Sequence, residues 1–260
     1  MKYEPFNLTH LLCVLCSVAI IVLLTALFRD KSEKTRRLVV LICCGFNAIL
    51  YIIYKIVLAS GVDYLSENGY TFTILSELPF QLCNISIFLV PIAVLLKKDK
   101  LLSYGFYLAV IGALMTTLFP EPEFQGICIA KFPIYGYYFT HYHIIINGIL
   151  LVTLKLFKPS FKVLPFLNII LFGFAIVAFL INLLFNTCFI DTSVNPAANY
   201  FFTWEPAGIS ILEVFYKWIP VRFLYLIPAI AILNAYCSVV TLPFYLYERK
   251  YKNPELKEAK

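Results

Sequence analysis

Seven long runs of apolar residues, separated by shorter polar segments, form the dominant pattern of this chain. About 20 apolar residues are needed for a helix to cross the hydrocarbon core of a bilayer, and these runs approach or exceed that length. They lie at about 8–28, 38–59, 79–96, 101–119, 139–157, 163–185 and 220–246. The pattern predicts an all-α, polytopic membrane protein with seven transmembrane helices. No linker interrupts it, so we expect a single domain over 1–260 that ends in a polar cytoplasmic tail at 247–260.

The composition supports a membrane protein and excludes an ordinary soluble domain. The chain is 61% hydrophobic and 14% charged, whereas soluble domains carry about a quarter charged residues. The first run, from Leu8 to Phe28, is longer than the apolar core of a signal peptide and is followed by charged residues. We therefore interpret it as the first membrane helix.

The net charge of +6 follows from an uneven distribution of the basic residues and does not indicate a nucleic-acid partner. Sixteen of the 21 Lys and Arg residues lie in alternate connections and in the tail, at 29–37, 97–100, 155–162 and 247–260. Basic residues are concentrated in the cytoplasmic connections of membrane proteins. This distribution predicts an outside N-terminus and a cytoplasmic C-terminus for a multi-pass protein of the cell membrane.

A cluster of polar side chains occurs where the third run begins. At about 100° per residue, Glu77, Gln81 and Asn84 fall on one narrow stripe of a helix. Polar groups at this depth in a bilayer need internal partners or a cavity. Cys83 lies about 100° from Asn84 and therefore outside the stripe, which leaves a passive buried thiol as an alternative to a reactive one.

Other polar residues are predicted to lie at the same outer depth, including all three histidines. Besides His10, His141 and His143, they are Lys55, Asn182, Asn199, Tyr200 and Arg222. Histidine suits general-base catalysis near neutral pH, and a thiol beside a base is readily activated. A site built from these residues would use Cys83 as nucleophile, with Lys55 or Arg222 binding a lipid phosphate. His141 and His143 are about 200° apart on a helix, so we expect only one of them to face the site.

Three alternatives remain open from the residues alone. The polar side chains could simply be tolerated at a membrane interface. The protein could bind or transport a small solute along a second stripe formed by Asn234, Ser238 and Thr241, although hydrogen bonding between helices explains that stripe equally well. A zinc-dependent hydrolase could use the three histidines with Glu77 or Asp191, but no HxxxH spacing supports it. Separately, Cys128 and Cys188 could form a disulfide, since both are predicted in outer loops.

Four short motifs, taken together, resemble the bacterial YwaF-type integral membrane protein family. They are Phe6–His10, the Glu-Leu-Pro-Phe-Gln-Leu-Cys sequence at 77–83, Thr140–His141 and Asn199–Tyr200. That family is similar to a eukaryotic seven-helix group of membrane acyltransferases and fatty-ester hydrolases. The resemblance implies a seven-helix bundle with a reactive centre inside the membrane. It also implies Cys83 as nucleophile and His141 as base.

We therefore expect a lipid acyltransferase or lipid ester hydrolase whose partners are membrane lipids and a small lipid or acyl substrate. Gln81, at a position where relatives in the resembling family carry His, or Asn199 is expected to stabilise the oxyanion. Glu77 or His10 is expected to orient the base, with Asn84 and His143 nearby. We expect no metal and no other cofactor, and the oligomeric state is left open.

Overall fold

The computed structural model describes residues 1–193 and 195–252, with the side chains of 251 and 252 excluded, and this part of the chain is helical without β-strands. Each predicted run overlaps one helix of 15 residues or more. The helices are α1 (Leu8–Phe28), α2 (Glu33–Ala59), α3 (Leu82–Leu96), α4 (Asp99–Leu118), α5 (Phe132–Thr153), α6 (Leu164–Cys188) and α7 (Ile227–Lys252). A short helix, Ser210–Trp218, lies between α6 and α7 and is called the loop helix below. Most of the predicted tail, 253–260, lies outside the described residues.

Five of the helices are long and apolar enough to cross a membrane: α1, α2, α4, α6 and α7. The helix α3 is apolar but has only 15 residues. In α5, Tyr, His and Thr residues are interspersed among the apolar ones. The structure is therefore that of an all-helical membrane protein.

The bounds of α5 differ from the prediction at both ends: the helix begins at Phe132 rather than at 139 and ends at Thr153 rather than at 157. Proline is well tolerated in the first turn of a helix, so Pro133 starts the helix within a stretch that looks like loop. At the other end Lys155 adopts φ 57°, a left-handed conformation that terminates the helix.

The helix α5 lies at the centre of the bundle and packs against α1, α2, α3 and α4. Two glycines permit close approach. A Cβ at Gly136 would lie 2.7 Å from the ring of Tyr54, and a Cβ at Gly148 would lie 2.6 Å from the carbonyl oxygen of Gly105. Gly105 begins a π-helical turn, Gly105–Ala109, within α4. The central contact between α4 and α5 is therefore made by backbone and small residues.

Basic side chains join several connections at one end of the bundle. Arg36 donates to the carbonyl of Leu154 at 2.6 Å, and Lys155 pairs with Asp30 at 2.9 Å. The Arg37 guanidinium likewise reaches a carbonyl in the last turns of α3. The connections predicted to be cytoplasmic therefore lie at the same end.

All eight cysteines are free thiols. The predicted Cys128–Cys188 disulfide is therefore not formed. Instead, the sulfur of Cys128 lies 3.7 Å from the N-terminal ammonium group.

Candidate functional site

Cys83 and His141, together called the dyad below, meet at the opposite end of the bundle. The thiol sulfur lies 3.4 Å from Nε2 of His141, and Nδ1 of His141 lies 2.6 Å from the carbonyl oxygen of Tyr137. Because a carbonyl oxygen can only accept, we assign the proton to Nδ1 and a free lone pair to Nε2. The imidazole is thus oriented to accept a proton from the thiol. The side-chain oxygen of Asn84 lies 3.8 Å from the same sulfur.

Cys83 is the second residue of α3, directly after the N-terminal cap residue Gln81 and Leu82. The first N–H groups of a helix have no partner within the helix, and Gln81 provides no side-chain cap for them. The helix start also carries a partial positive charge that favours anions. These donors are next to the sulfur. The sequence did not predict them, because a helix that began at 79 would place Cys83 in its second turn.

Gln81 and Asn199, the two predicted oxyanion donors, are engaged in holding a loop. The amide nitrogen of Gln81 donates to the carbonyl of Asn199 at 3.1 Å, and its oxygen accepts from the N–H of Phe201 at 2.8 Å. The oxygen of Asn199 accepts from the N–H groups of Trp204 and Glu205, both at 3.2 Å. Both side chains therefore position the loop between α6 and α7, and neither amide is directed at the thiol.

Asn182 and Tyr200 join this loop to the segment before α3. Asn182 is fully buried, donates to the carbonyl of Tyr200 at 3.0 Å and accepts from its N–H at 2.9 Å. The hydroxyl of Tyr200 donates to the carbonyl of Leu75 at 2.5 Å and accepts from the N–H of Leu78 at 3.2 Å. Both predicted residues thus support the wall of the site through backbone contacts.

Lys55 forms an ion pair with Glu77 near the dyad. The ammonium group also lies 5.6 Å and 5.3 Å from the ring centres of Tyr51 and Tyr54. Lys55 is therefore already neutralised by a carboxylate, and Glu77 contacts Lys55 rather than His141. Arg222, the other predicted phosphate ligand, is exposed and stacks at 3.8 Å on the ring of Trp204.

The remaining histidines face other surroundings. Nδ1 of His10 accepts from the N–H of Phe6 at 2.7 Å, and the ring of His143 packs 5.1 Å from that of Phe46 on α2. Of the three histidines, His141 contacts Cys83. Within the described residues no three His, Cys, Asp or Glu side chains are grouped so that they could hold a metal ion. The residues of the zinc hypothesis are therefore not assembled.

A cavity of about 280 Å³ opens beside the dyad. Gln81, Cys83, Glu121 and the aromatic ring of Tyr137 line one part of it. The rest of the wall is formed mainly by apolar side chains from α4, α6, α7 and the loop helix. The thiol thus faces a largely apolar space.

Glu121, in the loop between α4 and α5, is a member of the site that the sequence analysis did not identify. Its backbone N–H donates to the hydroxyl of Tyr137 at 3.4 Å, while its carboxyl has no hydrogen bond or ion pair to the described residues. Burial, and then repulsion from Glu77 and Glu123, raises the pKa of Glu121 to about 7, and Lys55 acts in the opposite direction. An unpaired carboxyl in an apolar wall is a common feature of functional sites.

The second polar stripe, on α7, is used to join helices. Asn234 and Asn168 of α6 exchange two hydrogen bonds, at 2.8 Å and 2.9 Å. Thr241 bonds the hydroxyl of Tyr107 on α4 at 2.5 Å. The stripe is thus explained by contacts between helices, and no observation favours a solute path.

The comparisons with known proteins identify the family. A model of the TMEM164 family matches residues 5–241, a range that contains the dyad and the cavity. No curated protein and no solved structure matches the chain significantly. The YwaF-type resemblance and the acyl chemistry that it implies remain predictions. The extent of the match and the apolar helices together show that this chain is a membrane protein belonging to the TMEM164 family.

Proposed function

We propose that this protein transfers or hydrolyses an acyl group of a membrane lipid, with Cys83 as the nucleophile and His141 as the base. The observation that carries the proposal is the 3.4 Å separation of the sulfur from an imidazole nitrogen whose lone pair is free. General bases act at hydrogen-bond distance from the proton that they remove, and a longer contact before substrate binds is common. The apolar cavity in front of the thiol suits an acyl substrate.

The first half of the reaction forms a thioester. Nε2 of His141 takes the proton of the thiol, and the sulfur of Cys83 attacks the carbonyl carbon of the lipid ester. The carbon–oxygen ester bond breaks, and the imidazolium returns the proton to the departing alkoxide. The products are an acylated Cys83 and a lipid alcohol.

The second half releases the acyl group. His141 removes a proton from an incoming hydroxyl, whose oxygen attacks the thioester carbonyl. The carbon–sulfur bond breaks and the imidazolium protonates the leaving thiolate. An alcohol as acceptor gives acyl transfer, whereas water gives hydrolysis.

Negative charge that develops on the carbonyl oxygen is stabilised by the start of α3. Its first N–H groups lack partners within the helix and lie next to the sulfur. In this proposal the N–H groups stabilise the oxyanion in place of Gln81 and Asn199, whose side-chain amides are hydrogen-bonded to the loop between α6 and α7.

We further propose seven crossings of the cell membrane, with the N-terminus outside. The position of α3 and α5 among the five long apolar helices supports their crossing as well, because both pack inside the bundle. The basic connections at one end support a cytoplasmic assignment for that end. The dyad then lies near the outer leaflet.

The experiment is a search for a thioester on the full-length protein in lipid nanodiscs. Phospholipid with a radiolabelled acyl chain is added, and the label on the protein is measured before and after neutral hydroxylamine. We expect a hydroxylamine-sensitive label on the unchanged protein and its loss in Cys83→Ala.

Cys188→Ala is the matched control, because this free thiol is exposed on the same side of the bundle and lies outside the cavity wall. It should label like the unchanged protein. Full labelling and turnover of Cys83→Ala would contradict the proposal. Accumulation of a solute in vesicles without any acyl product would favour the transport alternative.

A further inference from the structure

The mouth of the cavity is formed by side chains that are exposed on membrane-length helices. Phe172 of α6 is 41% exposed, and Ile227 and Ile232 of α7 are 53% and 51% exposed, although all three line the cavity. Exposed apolar side chains within a membrane-spanning helix face lipid. The cavity therefore opens sideways, toward hydrocarbon.

The loop helix forms another wall of the cavity. Leu212 and Phe215 are buried and line the cavity, whereas Val214 and Trp218 are 42% and 68% exposed. A short helix with a buried apolar face and an exposed Trp is typical of the membrane interface. The loop helix thus separates this part of the cavity from the outside.

Polar groups are concentrated at one end of the space. The side chains of Gln81, Cys83 and Glu121 lie there, while Ile111, Met115 and Ile230 are among the apolar residues of the wall. An occupant must therefore be apolar along most of its length and must place its reactive group near Cys83.

From these contacts we propose that the cavity binds a single long acyl chain of a membrane lipid, which enters sideways between the helices beneath the loop helix. The carbonyl end lies at Cys83 and the tail runs along α4 and α7. This inference rests on the proposed function only for the position of the carbonyl end. The volume of about 280 Å³ is near the lower limit of ligand pockets, which suits one chain better than a whole diacyl lipid.

The test uses the full-length Cys83→Ala protein in nanodiscs, so that binding is measured without turnover. The probe is a long-chain fatty acid that carries a diazirine at its tail end, and the crosslinked peptides are identified by mass spectrometry. We expect crosslinks on the cavity-facing residues of α4 and α7, around Met115 and Ile230. Excess unlabelled fatty acid should suppress them.

Two variants fill the cavity from opposite walls. Ile230→Trp adds bulk from α7, and Gly112→Leu adds it from α4, where a Cβ would meet only the side chain of Leu82 at 3.4 Å. Either change, made in the Cys83→Ala protein, should lower the crosslinking at least fivefold. Val239→Trp is the matched control, because Val239 is 68% exposed on α7 outside the cavity wall, and its signal should stay within twofold.

The outcomes separate this inference from the proposed function. Crosslinks in the cavity without acyl transfer by the unchanged protein would support the chain site and contradict the reaction. Crosslinks mainly in the groove between α3 and α6, which Phe88 and Val177 line, would overturn the inference whether or not the protein turns over. The inference would also be overturned if Ile230→Trp or Gly112→Leu folded and was crosslinked as strongly as the Cys83→Ala protein. If neither Ile230→Trp nor Gly112→Leu folds, the crosslinked peptides of the Cys83→Ala protein still show whether the chain lies in the cavity.

Discussion

The helices α1 and α5 have almost the same length, 21 and 22 residues, but occupy opposite situations in the bundle. Only 6% of the residues in the most apolar stretch of α1 are buried. The buried residues of the whole helix are Thr9, His10 and Ser17. Most residues of α5 are buried, although its composition is more polar. In a bilayer the lipid is as apolar as a protein core, so strong apolarity does not indicate a central position. Here the less apolar helix is the central one, because its neighbours provide partners for its polar groups.

The two helices also show how one residue type acquires different surroundings. His10 at the start of α1 accepts a hydrogen bond from the backbone of Phe6. His141 on α5 has its Nδ1 fixed by a backbone carbonyl and presents Nε2 to Cys83. Both histidines are buried, so the partner of the second nitrogen, and not burial, distinguishes them.

The largest expected effect tests this difference between the histidines directly. His141→Asn should slow thioester formation by about 10²–10⁴-fold, since the thiol loses its base. His10→Asn should change the rate less than about threefold, in line with a structural role. The measurement is the initial rate of acyl labelling in nanodiscs. Equal losses in the two variants would remove the functional distinction between α1 and α5.

The next effect concerns the close packing of α5. A Cβ at Gly148 would lie 2.3 Å from Val110 and 2.6 Å from the backbone oxygen of Gly105, so Gly148→Ala should destabilise the fold by about 1–3 kcal/mol. Gly173→Ala on α6 is the matched change, because nothing lies within 4 Å of its added Cβ. It should be neutral or slightly stabilising. Reversible unfolding in detergent micelles measures both, and similar midpoints would contradict tight packing at the centre.

A smaller effect concerns Glu121, which lies beside Tyr137 of α5. Its pKa of about 7, against the ordinary 4.5, means that folding favours the neutral carboxyl. Its stabilising contribution is thus present below about pH 4.5 and is lost as the pH rises through 7, by roughly 1–3 kcal/mol. The midpoint of unfolding should fall as the pH is raised from 5 to about 8, and Glu121→Gln should make this fall smaller. Glu67→Gln is the control, because Glu67 is exposed in the loop between α2 and α3, and it should keep the slope. An unchanged slope in Glu121→Gln would refute the assignment.

The smallest effect sharpens the comparison at the end of the bundle away from the dyad, where a hydrogen bond joins α1 and α5. The hydroxyl of Thr25 donates to that of Thr153 at 2.8 Å. Such bonds between membrane helices contribute about 0.6 kcal/mol on average, and Thr25→Val should cost about that much. Thr187→Val, whose hydroxyl bonds within its own helix, should cost less. A loss of several kcal/mol for Thr25→Val would mean that α1 is anchored more firmly than its exposure indicates.

The sequence predicts the helices well because the bilayer imposes their length. Both ends of α1, Leu8 and Phe28, agree with the prediction, as do the last residues of α2 (Ala59) and α3 (Leu96). The other helix ends are shifted by one to seven residues. The choice between His141 and His143 could not be made from spacing alone. That choice depends on how α5 is rotated against α3, which long-range packing determines.

Two side chains at the site show what sequence reasoning lacks. Gln81 lies on the predicted polar stripe, but its amide is bound by a loop more than 100 residues away. Glu121 resembles any outer-loop acid, yet the stacking of Phe124 on Tyr137, with ring centres 4.2 Å apart, holds its segment over α5. Neither contact leaves a local pattern in the sequence. Both residues therefore require the tertiary structure for their interpretation.

The π-helical turn Gly105–Ala109 has a consequence for the shape of the cavity. A turn of this kind accommodates one extra residue, so the part of α4 after Ala109 is out of phase with the part before Gly105 by about 100°. Gly112 and Met115 face the cavity because of this phase shift. Deleting one residue within 105–109 would restore a regular α-helix and turn both residues away from the cavity. The specificity of a chain-binding pocket would then be altered without changing any residue that touches the chain.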